Sequence, residues 1–179
     1  KHSELLGFAR IDPHHPSALK EMMKTKKSGM HGIKLHPRSQ KFNIDEIPHV
    51  FEKGRELGLP FIIHSAHKKG LYQRQLVDVV PSYTDLTFIL AHAGLGDPRP
   101  LVRLAREYSN VFLEVSANHK HDIQLVVLSA GAENVIFGSD APYQEVEVML
   151  DRMCIGWADK SSMEMVMYKN AARILDTKA

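Results

Sequence analysis

Six apolar runs recur along the chain at near-constant intervals, at residues 5–11, 33–36, 60–64, 87–92, 111–115 and 135–138. Apolar residues dominate each without strict alternation, the pattern of a strand buried on both faces of a parallel sheet. Stretches of helical periodicity fill the intervals. Asp97 followed by Pro98 has the form of an N-cap with proline at the first helical position, and Leu101, Leu104, Ala105 and Tyr108 then make one apolar stripe. Asp45 is placed to cap a helix that buries Ile47, Val50, Phe51 and Leu57 and stops at Gly58. Leu71, Gln75, Leu76 and Val79 repeat the theme. Ser161 and Glu164 have capping-box spacing before a helix carrying Val166, Met167, Ile174 and Leu175.

This alternation has no linker and no composition break, so it predicts a single α/β domain over residues 1–179 with right-handed crossovers. The options are a doubly wound sheet and a TIM-type (β/α)8 barrel. No Gly-rich phosphate loop follows the first strand, and chemically active residues close several strands. Both features favour the barrel. A full barrel takes about 250 residues. Six units fall short by roughly two, so the expected fold is an incomplete barrel, either open or with its first two strands outside this chain.

Three of the runs end in a side chain suited to metal binding: FIIH at His64, FILAH at His92 and VIFGSD at Asp140. Taken singly, each has a plainer reading. A lone buried histidine is more often hydrogen-bonded to a neighbouring carbonyl, and Asp140 before Pro142 suits a helix N-cap. Their repetition at the same end of three strands points instead to one rim, where parallel α/β folds place their chemistry. Imidazoles with a carboxylate suit a divalent ion, zinc being the expected one. Lys34 and His36 share a face, since strand side chains two apart point the same way. An inward Lys34 needs a partner, because an unpaired buried ammonium is costly.

Composition narrows the function classes. With 44% apolar residues, 179 residues suffice for a sizeable core. The net charge is only +2, and no basic cluster alternates with aromatics, which gives nucleic-acid binding little support. Lys24, Lys26 and Lys27 read as the solvated end of a helix. No run approaches the ~20 apolar residues of a membrane span. The single cysteine, Cys154, cannot form an internal disulfide, which fits a reducing compartment, and the cytoplasm is the expected location. The chain starts at Lys1, so a leader peptide is neither indicated nor excluded. The expected partner is a small-molecule substrate, with a homo-oligomer as an option for assembly. Met163, Met165 and Met167 read as core filler. His119 with His121, and His14 with His15, read as loop pairs near solvent.

The segments GFARIDP (7–13), GIKLHPRSQKF (32–42), LPFIIHSA (59–66), FILAHAG (88–94), NVFLEVSA (110–117), VIFGSDAPY (135–143) and NAARIL (170–175) together resemble the amidohydrolase superfamily. The branch they are most similar to is the amidohydrolase-related, metal-dependent TIM-barrel hydrolases and decarboxylases. The resemblance covers nearly the whole chain, in the family's order from its third strand to its eighth. It implies that His64 is the metal-binding histidine closing the family's fifth strand. His92 then matches the sixth-strand histidine, a second metal's ligand or a proton donor and polarising group. Asp140 matches the eighth-strand aspartate, which binds metal and serves as general base on the attacking water. In some branches a lysine at the position of Lys34 is carboxylated and bridges two metals; His36, just before Pro37, is expected in the pocket wall. One departure stands out: the family's His-x-His pair at the end of its first strand has no counterpart here. The hypothesis is that the complete protein has an N-terminal segment of roughly two βα units supplying that pair.

The expected function is therefore a metal-dependent hydrolase, with Asp140 and His92 as catalytic residues. His64, His92 and Asp140 are the metal ligands, and Lys34 and His36 are metal-bridging or substrate-binding residues. Three alternatives stay open: non-oxidative decarboxylation of an aromatic or unsaturated acid on the same platform, Schiff-base chemistry at Lys34, and a non-catalytic incomplete barrel. Arg10, Asp12, Glu114 and Ser116 are further residues within reach of the mouth.

Overall fold

In a computed structural model the chain is described at residues 5–66, 70–93, 95–154 and 159–176. Lys1 and Gly94, the latter closing the FILAHAG motif, lie outside these residues. Six strands, β1 (Phe8–Arg10), β2 (Gly32–Leu35), β3 (Phe61–His64), β4 (Phe88–Ala91), β5 (Val111–Glu114) and β6 (Val135–Ile136), form one sheet in sequential order. Every neighbouring pair is parallel. Sequential order with a helical crossover after each strand is the barrel arrangement, because a doubly wound sheet reverses its order at a switch point. Among the described residues the order runs from β1 to β6 without closing. The fold is thus six parallel strands of a TIM-type barrel.

The helices are α1 (Ala18–Lys27), α2 (Pro37–Gln40), α3 (Pro48–Leu57), α4 (Leu71–Val79), α5 (Arg99–Glu107), α6 (Lys120–Ala130), α7 (Val146–Cys154), α8 (Lys160–Glu164) and α9 (Asn170–Ile174). Gly58 ends α3 in the left-handed region (φ 60°), as its position after Leu57 predicts. Three caps fall elsewhere than expected. Asp45 sits inside a 3₁₀ turn, and Asn43 with Glu46 makes the capping box there. Asp159, not Ser161, caps α8 by accepting from the Ser162 N–H at 2.8 Å. Asp97 accepts from the Arg99 N–H at 3.1 Å, while Pro98 takes the N-cap position. In the first two cases a neighbouring polar side chain competes for the same orphan amides, and spacing alone does not rank the competitors.

Strand alternation sorts the side chains into two layers. Ile33, Leu35, Phe61, Ile63, Phe88, Leu90, Val111, Leu113 and Val135 face the helices and pack with Met22, Phe51, Leu76, Leu101 and Val126 into the main core. Phe51 meets Phe61 edge-on at 5.3 Å and Phe88 at 5.7 Å. The opposite face holds a second cluster of Ile89, Phe112 and Ile136, joined by Phe8, Ile62, Ala171 and Ile174. Lys34 pairs in register with Ile62, while His64, Ala91 and Glu114 form the next row toward the C-terminal edge. The apolar layer thus forms a floor, and the polar side chains stand above it at the rim.

Among the described residues no helix is long and apolar enough to cross a membrane. The expected surface residues are exposed: Lys24, Lys26, Lys27, His14, His15, His119 and His121. Met167 packs against the core, whereas Met163 and Met165 are only half-buried.

Candidate active site

The rim is assembled by short turns that follow the strands. His64 is the last residue of β3 and shares the inner face with Ile62. β4 ends at Ala91, one residue before the expected strand end, and His92 follows in the left-handed region (φ 61°). That turn folds the imidazole back into the protein, where it is 8% exposed. Asp140 (φ 60°) leaves the sheet in the same unusual conformation, which Asp tolerates better than most residues. β2 likewise stops at Leu35, so His36 is not a strand residue. It caps α2, where its Nδ1 accepts from the Ser39 N–H at 3.4 Å.

Three imidazoles meet at this rim. The rings of His36 and His64 are stacked, 4.0 Å between centroids and 14° between planes. His64 and His92 make an edge contact at 4.9 Å and 66°. Burial, then the neighbouring His36, His92 and Lys34, push the His64 pKa down to about 3, so its ring is neutral at physiological pH. Burial also lowers His36. Lys34 is held below the ordinary lysine value by burial, opposed by the nearby carboxylates of Glu114 and Asp140. The ammonium thus has the carboxylate company that an inward lysine requires. Arg10 reaches across from β1 and donates to Ser39 Oγ at 2.6 Å. Asp12 turns away to accept from the His14 N–H.

Glu114 and Ser116 form the part of the site least visible in the sequence. The Glu114 carboxylate accepts from the Ser116 N–H at 2.6 Å, the Ser116 hydroxyl at 2.9 Å and the His92 N–H at 3.2 Å. Ser116 Oγ also lies 2.8 Å from His92 Nδ1. The available signal was the two-residue spacing of Glu114 and Ser116 at a strand end, which puts both on one face.

The donor chemistry fits a divalent ion in kind: neutral imidazoles with carboxylates nearby. It does not fit in number. Among the described residues no group of three or more His, Cys, Asp or Glu side chains is arranged to hold a metal ion. His64 and His92 adjoin one another, whereas the link to Asp140 runs through the charge of Lys34.

No curated protein shows significant sequence similarity to the chain. Among solved structures it is similar to an uncharacterised TIM-barrel protein of Bordetella bronchiseptica (18% identity, TM-score 0.84, 96% of this chain and 66% of that one). It is also similar to the 5-carboxyvanillate decarboxylase of Sphingomonas paucimobilis (19% identity, TM-score 0.78, 97% of this chain and 67% of that one). A third is the dihydroxybenzoic acid decarboxylase of a Polaromonas species, with bound manganese and the inhibitor 2-nitroresorcinol (15% identity, TM-score 0.72, 96% and 69%). At these identities the likeness concerns the fold. The amidohydrolase family model matches residues 2–177, nearly the entire length. The chain therefore belongs to the amidohydrolase family.

Proposed function

We propose that the rim is the active site of a hydrolase that splits a C–N or C–O bond of a small carbonyl substrate with an activated water. The observation that carries this reading is the meeting of His36, His64 and His92 beside Lys34 on one rim of an amidohydrolase-family barrel. Asp140 is the proposed general base. It takes the proton of the attacking water and returns it to the leaving group, assistance typically worth about 10²–10⁴ in rate. The Lys34 ammonium polarises the carbonyl oxygen as negative charge develops there. His64, neutral at physiological pH, acts as a lone-pair donor and not as an acid.

Zinc, or another divalent ion, is the proposed cofactor, with His64, His92 and Asp140 as its candidate ligands from this chain. Such an ion supplies Lewis-acid polarisation and a bound water of lowered pKa. Because the described side chains do not complete a ligand set, no step is assigned to it.

Non-oxidative decarboxylation is the second reading. It is favoured by the cationic side of the rim, where Arg10 stands beside Lys34, a pairing suited to an anionic substrate. Two of the similar solved structures are decarboxylases of aromatic acids.

The test is to incubate the full-length natural protein, with and without added divalent metal, with a panel of lactones, esters, amides and hydroxylated aromatic acids. Acid release and CO2 are followed together. Hydrolysis without CO2 supports the first reading, and CO2 from an aromatic acid without hydrolysis replaces it with the second. Turnover of none of these classes overturns both.

A further inference from the structure

We propose that Glu114 and Ser116 are positioning residues that fix the tautomer of His92, with the proton on Nδ1 and the lone pair of Nε2 left free. The inference rests on the reading of His92 as a working residue of the rim, but its geometry is independent of any reaction. Hydrogen-bond bookkeeping carries it. A carboxylate accepts and a hydroxyl has one proton to give. Ser116 Oγ lies 2.9 Å from Glu114 Oε2, so the hydroxyl proton is donated there. The same oxygen then meets His92 Nδ1, 2.8 Å away, with only lone pairs. Nδ1 must supply the proton of that contact. The Ser116 carbonyl oxygen, 3.3 Å from the same nitrogen, is also an acceptor only. Two acceptors on one ring nitrogen require the proton on Nδ1, which in the neutral ring leaves Nε2 bare.

Three features hold the relay in place. Glu114 is fixed by the Ser116 N–H at 2.6 Å and by the His92 N–H at 3.2 Å, so one carboxylate grips both the backbone and the side-chain partner of His92. Gly138 lies directly against it, and a Cβ at that position would overlap Glu114 Oε1. Ser116 is buried, with 2% of its surface exposed, which keeps water from competing for Nδ1. The lone pair of Nε2 is what a ligand or proton acceptor at the rim requires; the opposite tautomer would present an N–H instead. Glu114 and Ser116 thus set what His92 can do without themselves contacting a substrate.

The experiment is long-range 1H–15N correlation of the histidine side chains in the full-length protein, which reports directly which ring nitrogen carries the proton. His92 is assigned by its loss in His92→Asn. In the wild type, the expected result is a protonated Nδ1 and a bare Nε2. In Glu114→Gln, the new amide donates to Ser116 Oγ, the hydroxyl turns toward Nδ1, and the population shifts toward the Nε2–H tautomer. If that variant does not fold, Ser116→Ala is read in its place and should shift the population the same way, whereas Ser116→Thr should restore it. Where turnover is measurable, kcat should fall by about tenfold or more with little change in KM. A wild-type His92 with its proton on Nε2 overturns the proposal, as does an unchanged tautomer in the folded variants. Neither outcome depends on which reaction the rim performs, so this inference and the proposed function fail separately.

Discussion

The rings of His36 and His64 lie face to face, 4.0 Å apart and nearly parallel, although one residue caps a helix and the other closes a strand. Stacked imidazoles in a partly buried rim cannot both carry charge, because each cation raises the cost of the other and both lose hydration. Burial lowers both pKa values, so both rings are neutral at physiological pH, and the lone pair on His36 Nδ1 is taken by the Ser39 N–H.

That neutrality makes stability depend on pH with a definite sign. The His64 pKa falls from an ordinary 6.5 to about 3 on folding, so between these values the unfolded chain binds the extra proton. The neutral ring carries no penalty above pH 6.5, and stability is lost as pH falls toward 3. The slope is at most about 1.4 kcal/mol per pH unit. Urea unfolding of the metal-free wild type and of His64→Gln should show the wild type losing ground to the variant across this window. A difference independent of pH would remove the buried neutral His64 from the account.

Gly138→Ala should destabilise the protein by about 1–3 kcal/mol, because its Cβ would overlap the Glu114 carboxylate. The strain also reaches His92, whose N–H is held by that carboxylate. Thermal unfolding should show the loss, and the His92 resonances should shift while those of His14 and His15 stay in place.

Asn170→Ala should cost about 1–3 kcal/mol without altering the rim. The Asn170 amide is buried and donates to the carbonyls of Ala132 and Val135, both at 2.8 Å, tying α9 to the approach to β6. Removing it leaves those carbonyls without this donor. Denaturant midpoints check the loss, and an unchanged His64–His92 environment separates it from effects at the site.

Asp140→Asn should keep the fold, since the side chain is half-buried at the rim and lies outside the two apolar clusters. Turnover should drop about 10²–10⁴-fold if it is the general base. A folded variant with near-wild-type kcat would remove Asp140 from the mechanism.

The layered architecture was legible because predominantly apolar strands leave few alternatives: all six runs became neighbours in one parallel sheet. His64 and His92 were legible for a related reason, since a polar residue ending such a run must emerge at the rim. Exact conformations were less so. His36 was expected on the strand with Lys34, yet β2 ends one residue earlier, because the His36 N–H donates to Gln40 Oε1 at 2.8 Å and Pro37 has no N–H to continue a ladder. The Glu114–Ser116–His92 relay joins residues 22 and 24 positions apart across two turns. No local pattern encodes such a link. A metal ligand set is equally hard to read, because it depends on side-chain convergence, not on strand order.

Metal stoichiometry in the full-length natural protein tests the central claim most directly. Plasma emission spectrometry after equilibration with zinc or manganese would compare the wild type with His64→Asn, His92→Asn and Asp140→Asn. The expected result is about one or two ions per wild-type chain and a clear loss in each folded variant. Wild-type protein that retains no ion, or variants that all bind as well as the wild type, would contradict the assignment of this rim as a metal-dependent active site.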